Sequence, residues 1–384
     1  MKTKYDLFYA LCKVSDPTLA RAAQLAGISY PSAVKMLKLL EKEFLLKKGL
    51  PTTKKAILAK QIIEWCYYYE LNYDFFFSEK LATFLALSLS NGGITSHDEK
   101  NFNRNTFFSY TRKLKEKHLL LIVDKKPINA IMYSNHILEK VLKYYGHAFL
   151  VKEKVPSVHV YEKIARLLKN DTTQEIEFLH SSLFMEGTTL TLSDTKNLFI
   201  KKTAPNKPLV DIKNMENYKL ATEYVRSTFT EDLTKEAIVK LQAISMADAG
   251  TVLGIRTKDV HIRGNARFNI CSPNKVHVEL RKFITYFNRK IKQKLSVKES
   301  IATSAFIHNQ FQYIHPFYDG NSRTTRLLWQ YFLLCKKFPL ITIYAAQKEK
   351  YMSLTKLYKK RDDNKLAEFF AFIILDNLQN KARD

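Results

Sequence analysis

The chain has 384 residues, of which 46% are hydrophobic, so two or three domains with sizeable cores are expected. Glycine and proline number only 10 each, which excludes collagen-like and low-complexity proteins. The formal net charge of +25 favours polyanionic partners such as nucleic acid, nucleotides or acidic protein surfaces, although a generally Lys-rich proteome gives the same excess.

The four cysteines are far apart in sequence, and no two have the CxxC spacing of a zinc site. No apolar run approaches the roughly 18–20 residues of a membrane span. Residues 1–10 lack the apolar region and cleavage site of a signal peptide. These features predict a cytoplasmic protein with reduced thiols and no membrane partner.

The first 60 residues have the pattern of a small helical module. Apolar residues at helical spacing predict helices around Leu7–Leu11 and Leu19–Leu25, and Gly27 breaks the second one. A third helix is expected to place four apolar residues on one face: Val34, Leu37, Leu40 and Phe44. Residues 45–58 then suit a short two-stranded wing. Residues 1–60 therefore resemble a winged helix-turn-helix, used either on DNA or for protein contacts only.

Residues 61–150 repeat this plan more weakly. A helical pattern at Lys80–Leu89 precedes a glycine break, a second helix opens at Arg104, and residues 119–133 predict a hairpin. Two interpretations stay open: a second winged helix, or a helical spacer with a charged face. DNA binding through residues 1–150 is accordingly one partner prediction. A Lys-rich segment at 151–157 is a candidate linker.

The densest cluster of reactive residue types is the loop at 315–326, which lies between two apolar helical patterns. Pro316 and Gly320 end the first helix and allow a tight turn. The second helix starts at Asn321 or Ser322. Its first backbone N–H groups have no helical partner and lie at the positive end of the helix dipole, so they form an anion site suited to phosphate.

The side chains of this loop suit chemistry at a phosphate. Arg323 and Arg326 are close enough on the helix to reach one polyphosphate. Asp319 can ligate Mg²⁺ carried by that phosphate. His315 is the one base in the loop that titrates near neutral pH, and Phe317 anchors the loop in the core. The set suits attack of a hydroxyl group on phosphorus; the alternative is a polar loop whose arginines pair with carboxylates.

At these residues the sequence resembles the Fic family, whose signature reads H-x-F-x-[DE]-G-N-[GK]-R-x-x-R. Seven positions match: His315, Phe317, Asp319, Gly320, Asn321, Arg323 and Arg326. Ser322 departs from the usual Gly, and the absence of Lys there favours AMP transfer over phosphate transfer. The resemblance implies a mainly α protein, in which an all-helical Fic core at 155–380 with a short β-hairpin flap follows one or two winged helix-turn-helix modules.

The same resemblance implies transfer of AMP from ATP to a Ser, Thr or Tyr hydroxyl of a protein target or of the chain itself. His315 would deprotonate that hydroxyl, and Asp319 would hold Mg²⁺ against the α- and β-phosphates. Three residues would form the anion hole: Gly320, Asn321 and Ser322. Arg323 and Arg326 would bind the outer phosphates, so ATP and Mg²⁺ are the expected cofactors.

A second segment fits this family. Glycine brackets the alternating apolar residues at 254–264, as in a short hairpin. The segment resembles the family's flap, which pairs with the backbone of a protein target by β-augmentation. The docking residues would be Gly254, Ile255, Arg256, Val260 and Ile262. The alternative is an ordinary exposed hairpin.

A third segment resembles the family's inhibitory motif, [ST]-x-x-x-E-[GN]. A helix over 172–187, with capping-box spacing at Thr172, would end at Gly187. Glu186 then lies in the last turn, where the helix dipole disfavours a carboxylate and favours a cationic partner. The resemblance implies that Glu186 pairs with Arg326 and denies it to ATP, while Ser182 steadies the helix. Glu186 would thus also border the ATP site; the alternative is a solvent-facing carboxylate.

Two other functions stay open at this stage. Glu186 could position a water molecule that removes AMP from a modified protein. The chain could instead be a DNA-binding regulator whose Fic core senses nucleotide. The target protein and the oligomeric state are also open, with a homo-oligomer among the alternatives.

Overall fold

The computed structural model describes residues 2–14, 18–68, 71–168, 175–260, 270–355 and 361–381. The chain divides into two compact units, residues 1–120 with 124–154, and residues 155–384 with 121–123. The predicted mainly helical fold is confirmed, since the one sheet assigned in the described residues is small and three-stranded. Within the described residues, no helix is both long and apolar enough for a bilayer crossing.

The helices of the first part of the chain are α1 (Lys4–Lys13), α2 (Leu19–Ala26), α3 (Tyr30–Lys42), α4 (Lys54–Tyr68), α5 (Glu79–Ser90), α6 (Arg104–Glu116) and α7 (His136–Tyr144). The strands are β1 (Ile94–Thr95), β2 (Leu120–Lys125) and β3 (Ile128–Met132). β1 pairs antiparallel with β3, with Ile94 opposite Ala130, and the strand order is β1-β3-β2. The helix break and the hairpin predicted within 61–150 are both present.

The wing predicted at 45–58 is wrong. A single backbone bridge joins Lys47 to Leu50, and α4 then begins at Lys54, so that Leu58 is helical. The hydroxyl of Thr53 accepts the N–H of Ala56 at 2.9 Å and thereby caps this helix. Phe44 was also expected on the apolar face of α3, but the helix ends before it and its side chain is 75% exposed.

The second unit contains α8 (Val158–Leu167), α9 (Glu175–Glu186), α10 (Leu192–Phe199), α11 (Leu209–Thr228), α12 (Lys235–Ser245), α13 (Val276–Lys292), α14 (Val297–Ile314), α15 (Asn321–Cys335), α16 (Lys348–Thr355) and α17 (Asp363–Lys381). The adjacent helices α14 and α15 supply many of its fully buried side chains, among them Phe311, Leu327 and Phe332. Their connection is the loop singled out from the sequence, so a packed core supports it on both sides.

Candidate active site

The loop between α14 and α15 is closed by one amide side chain. Asn321 accepts the N–H of Phe317 at 2.9 Å and donates to the carbonyl of Phe317 at 2.8 Å. The Phe317 ring is fully buried in the core, which confirms its predicted role as an anchor. His315 takes a left-handed conformation, with φ 47° and ψ 58°, and ends α14. Because these contacts leave the loop little freedom, the side chains projecting from it are held in place.

Gly320 precedes α15 and has φ 82°, a conformation that favours glycine. A Cβ atom at this position would lie 2.6 Å from Cγ of Met246, so close packing also requires glycine. Glycine has no side chain that could cap α15. The first N–H groups of α15, which begin at Asn321 and Ser322, are therefore available to an anion.

Asp319 lies on the exposed side of the turn. One carboxylate oxygen accepts the N–H of Gly320 at 2.6 Å. The described residues contain no cluster of three or more His, Cys, Asp or Glu side chains that could hold a metal by themselves. A lone carboxylate fits Mg²⁺, since this ion commonly takes one or two protein carboxylates and completes its shell with phosphate oxygens and water. The donors present therefore fit an ion that arrives with a nucleotide.

His315 is set up as a neutral base. Desolvation by the surrounding protein lowers the pKa of His315 to about 4; a hydrogen bond to the backbone of Gln312 opposes this, and the charge of Arg256 adds to it. At neutral pH the imidazole is therefore uncharged and has a lone pair available for a proton.

Arg323 and Arg326 contact different parts of the protein in this structure. Arg323 donates from Nη1 to Oδ1 of Asn214 and to the carbonyl of Ser245, both at 3.1 Å. Arg326 is almost completely buried and donates from Nη2 to the carbonyl of Ser182 at 3.0 Å. Its second acceptor is Oε1 of Glu186, at 2.6 Å. The sequence suggested that both arginines reach one polyphosphate, whereas here each is held by a separate set of helices.

Glu186 is the last residue of α9, and Gly187 follows it with φ 90°. The N–H groups of Gly187 and Thr188 return to carbonyls of the last helical turn, at 3.2 and 3.3 Å, as in a glycine-ended helix. The cationic partner expected for Glu186 is Arg326, and this ion pair is the contact anticipated from the sequence. The anticipated cap, Thr172, lies outside the described residues.

The start of the flap segment lies along the loop between α14 and α15. Ile255 forms an isolated antiparallel bridge with Phe317, and the N–H of Arg256 donates to the carbonyl of Pro316 at 2.8 Å. The hydroxyl of Tyr318 accepts the N–H of Thr257 at 3.1 Å. These contacts bring part of the predicted docking segment to the site. Of its other members, Gly254 and Val260 are partly buried, whereas Ile262 lies outside the described residues.

The Arg256 side chain does not match the docking role suggested by the sequence. It is 1% exposed, and its guanidinium group donates to backbone carbonyls inside the protein. A docked target could meet the neighbouring backbone but not this side chain. Alternating polarity suggested a surface position, because sequence alone does not show the carbonyl groups that a buried arginine can satisfy.

Gln242 of α12 and Met246, which follows the end of α12, belong to this site and were missed in the sequence. Gln242 donates to the carbonyl of Asp319 and accepts the N–H of Gly254, both at 3.2 Å, so it joins the loop to the flap. Met246 packs against Gly320. Gln242 lies 77 residues before Asp319 in the chain. No local pattern marks it, since a single glutamine within a helix carries no motif.

The segment that contains this site is similar to a known protein family. Residues 232–333 match the model of the Fic/DOC family, and this range contains the whole loop between α14 and α15. The curated relatives include the protein adenylyltransferases Fic of Drosophila erecta and Drosophila melanogaster, each 24% identical over 217 residues. Those alignments cover 55% of this chain and 43% of each relative, so the chain spans less than half of their length.

Two solved structures share the fold. Fic-1 of C. elegans (residues 134–508) has a TM-score of 0.51 at 18% identity, covering 58% of this chain and 71% of that one. A Fic family protein from Desulfovibrio desulfuricans G20 has a TM-score of 0.50 at 19% identity, covering 59% and 73%. At such identities the likeness establishes the fold of the matched part and not its activity.

Proposed function

We propose that this chain, which carries a Fic/DOC family domain at residues 232–333, is a protein adenylyltransferase held in a restrained state. Its substrates would be ATP and a Ser, Thr or Tyr hydroxyl group of a protein. The observation that carries the proposal is the convergence, in one loop, of a neutral imidazole, a carboxylate and an uncapped helix N-terminus. The names of the Drosophila relatives support the same reaction.

In the proposed reaction, the hydroxyl oxygen of the target attacks the α-phosphorus of ATP. The new oxygen–phosphorus bond forms while the bond from the α-phosphorus to the bridging oxygen of the β-phosphate breaks, so that pyrophosphate leaves. His315 takes the proton of the hydroxyl group on its unprotonated ring nitrogen. Because burial lowers the pKa of His315 to about 4, the ring carries no extra proton at neutral pH.

The phosphate groups of ATP would meet the N–H groups at the start of α15, where the helix dipole favours negative charge. Arg323 and Arg326 would bind the outer phosphates after changing their present partners. Asp319 would hold Mg²⁺, and that ion would neutralise phosphate charge as the bond to pyrophosphate breaks. Gly320 allows the loop to approach the phosphates closely, because it has no side chain.

Autoinhibition is the second part of the proposal. The Glu186–Arg326 ion pair uses one of the two guanidinium groups that ATP would need. Ser182 contributes through its backbone carbonyl, which accepts from the same Nη2 atom. Because Arg326 is buried, it cannot serve both Glu186 and a phosphate without local rearrangement. The described contacts therefore support a resting state in which ATP is bound incompletely or out of line.

The protein target would dock on the flap. A strand of the target would pair with the flap backbone near Gly254 and Val260, and this pairing would bring its hydroxyl group to His315. The bridge between Ile255 and Phe317 supports this placement, because it joins the flap directly to the catalytic loop.

Mass spectrometry tests this proposal. The Glu186→Gly protein is incubated with ATP and Mg²⁺, digested, and searched for peptides that have gained one AMP on a hydroxyl side chain. Adducts are expected in that variant, fewer in the wild type, and none when His315→Ala is added. The absence of adducts from the Glu186→Gly protein and from an added mixture of cellular proteins would count against the transferase.

A second function, duplex DNA binding, is favoured by the order of elements in residues 79–132. Helix α5, strand β1, a 3-10 turn, helix α6 and the β2–β3 hairpin follow one another, with strand order β1-β3-β2, as in a winged helix. Three residues on the exposed side of α6 suit contact with DNA, namely Arg104, Asn105 and Arg112. The hairpin turn adds the exposed Lys125 and Lys126.

Duplex binding by the full chain at about 50 and about 200 mM salt tests this second function. A double variant, Arg112→Gln with Lys126→Gln, should weaken binding and reduce the salt slope by about 2, if each residue contacts one phosphate. Lys282→Gln, which removes an exposed charge from α13, is the matched control. If the wild type fails to bind DNA at low salt, residues 1–150 serve protein contacts instead.

A further inference from the structure

Arg256 is a buried cation, and in the described part of the chain its hydrogen-bond acceptors are backbone carbonyls. Its Nε donates to His315 at 2.7 Å, and its Nη1 donates to Lys258 at 3.2 Å. Its Nη2 donates to the carbonyls of Cys271 and Ile314. Among the described residues, no carboxylate forms an ion pair with it. A buried guanidinium group without a carboxylate depends on oriented dipoles for its stability.

Those dipoles belong largely to the end of α14. The last carbonyls of a helix have no partner within it, and they form the negative end of its dipole. Here the carbonyl of Tyr313 accepts the N–H of Cys271 at 2.9 Å. The next two carbonyls, of Ile314 and His315, accept from the guanidinium group of Arg256. Arg256 is therefore a C-terminal cap of α14 that is supplied by the flap segment.

This cap acts at a strained point of the backbone. The left-handed conformation of His315 is unfavourable for a residue with a side chain, so surrounding contacts must maintain it. The Nε–carbonyl hydrogen bond holds the peptide group of His315 itself. The backbone of Arg256 also fixes the flap, because its N–H donates to Pro316 while Ile255 pairs with Phe317.

We propose that Arg256 is a positioning residue, which fixes the His315 imidazole and the flap relative to each other so that base and target hydroxyl meet correctly. The inference rests on the proposed transferase function. It differs from the docking role suggested by the sequence, since the Arg256 side chain acts from inside the protein. The charge of Arg256 also helps to lower the pKa of His315 and so to keep the ring neutral.

The first test compares kinetic constants of variants made in the Glu186→Gly background. Arg256→Met should lower kcat by about 100-fold, the loss expected when a reacting group is misplaced by about 1 Å. The KM for ATP should stay within about twofold, because the proposed phosphate contacts lie on α15. Arg256→Lys, which keeps one charged donor, should recover part of kcat. Lys275→Met is the matched control, since it removes an exposed charge that lies outside the flap segment.

Chemical rescue distinguishes the guanidinium group from general packing. Arg256→Ala leaves space lined by the same carbonyls, so millimolar guanidinium should restore kcat, whereas urea and sodium chloride at the same concentration should not. Thermal unfolding of each variant shows whether it folds. A folded Arg256→Met protein with unchanged kcat, or with kcat and KM altered in proportion, would overturn the assigned role.

The second test does not depend on activity. In protein carrying ¹³C-labelled histidine, the His315 resonance is assigned by its loss in His315→Gln. In Arg256→Met this resonance should shift, and its titration midpoint should rise slightly, because burial is the main cause of the lowered pKa and the charge of Arg256 adds a smaller part. An unmoved resonance would refute the positioning role. If the Glu186→Gly protein transfers no AMP, the proposed function fails, and this measurement still decides the role of Arg256.

Discussion

Arg326 lies with Nη2 at 2.6 Å from Oε1 of Glu186, and this contact links α15 to α9 across 140 residues of the chain. The Arg326 side chain is 3% exposed and that of Glu186 is 27% exposed, so the carboxylate is the partner that can leave towards solvent. A buried arginine that loses its carboxylate needs a new anion. A phosphate group of the proposed substrate ATP would meet that need, and release of Glu186 would then be coupled to nucleotide binding.

Removing the charge of Glu186 should therefore raise the rate of the proposed AMP transfer. Glu186→Gln keeps the size of the side chain but no longer holds Arg326 as an ion pair. The rate of AMP transfer from labelled ATP should rise by about 5–150-fold, the range of typical coupling free energies between sites. Glu177→Gln, on the same helix, is the control and should leave the rate unchanged. Equal rates in wild type and Glu186→Gln would contradict autoinhibition by this pair.

The direction of AMP transfer can be tested with the same residue. A protein already carrying AMP is incubated with wild type or with Glu186→Gly, and free AMP is measured. Restraint by Glu186 predicts little release by either protein. Release that requires Glu186 would instead identify a water-positioning role and favour AMP removal.

Gly320→Ala should weaken ATP binding by about tenfold, equivalent to about 1.4 kcal/mol. The new Cβ meets Met246, and alanine also resists the left-handed backbone. Adding Met246→Ala should relieve the contact but not the backbone strain. The double variant should therefore lose less stability than the two single variants lose in sum. Thermal unfolding and the KM for ATP measure these effects. If the losses in free energy of unfolding are strictly additive, the new Cβ atom at position 320 has no steric contact with Met246.

Acid should destabilise the protein through buried histidines. Desolvation and the charge of Arg326 lower the pKa of His308 to about 3, whereas an unfolded histidine titrates near 6.5. The unfolded state therefore binds more protons below pH 6.5, and this contribution to stability is lost as the pH falls from 6.5 towards 3. Each such histidine adds a slope of up to about 1.4 kcal/mol per pH unit.

Urea unfolding at several pH values between 7.5 and 4.5 measures this slope. His308→Gln should flatten it while keeping a polar partner for the Tyr351 hydroxyl, which lies 2.8 Å from Nε2 of His308. His277→Gln, at an exposed position, should leave the slope as in the wild type. A slope that His308→Gln does not change would place the acid sensitivity elsewhere.

Much of the site is local in sequence, and this is why it could be predicted. The loop at 315–326 holds its base, its carboxylate and both arginines within one turn and one helix start, so spacing alone brings them together. The Glu186–Arg326 contact is long-range. It could be anticipated only because the segment around Glu186 has its own recognisable motif and because a carboxylate at a helix end favours a cation.

Other features depend on packing that spacing does not reveal. Gln242 reaches the loop from α12 and Met246 from the residue after it, and neither residue type marks a motif. Arg256 is buried because unpaired carbonyls at the end of α14 accept its donors, which only the folded chain shows. The wing predicted at 45–58 failed because Thr53 caps a helix that continues past Leu58.

AMP transfer by this loop is tested most directly by a pair of labelling reactions with ATP carrying the label on either the α- or the γ-phosphate. We expect the Glu186→Gly protein to incorporate the α-label alone, and the addition of His315→Ala to abolish incorporation. Incorporation of the γ-label would indicate phosphate transfer. That result, or an α-label that survives His315→Ala, would contradict the proposed adenylyl transfer by this loop.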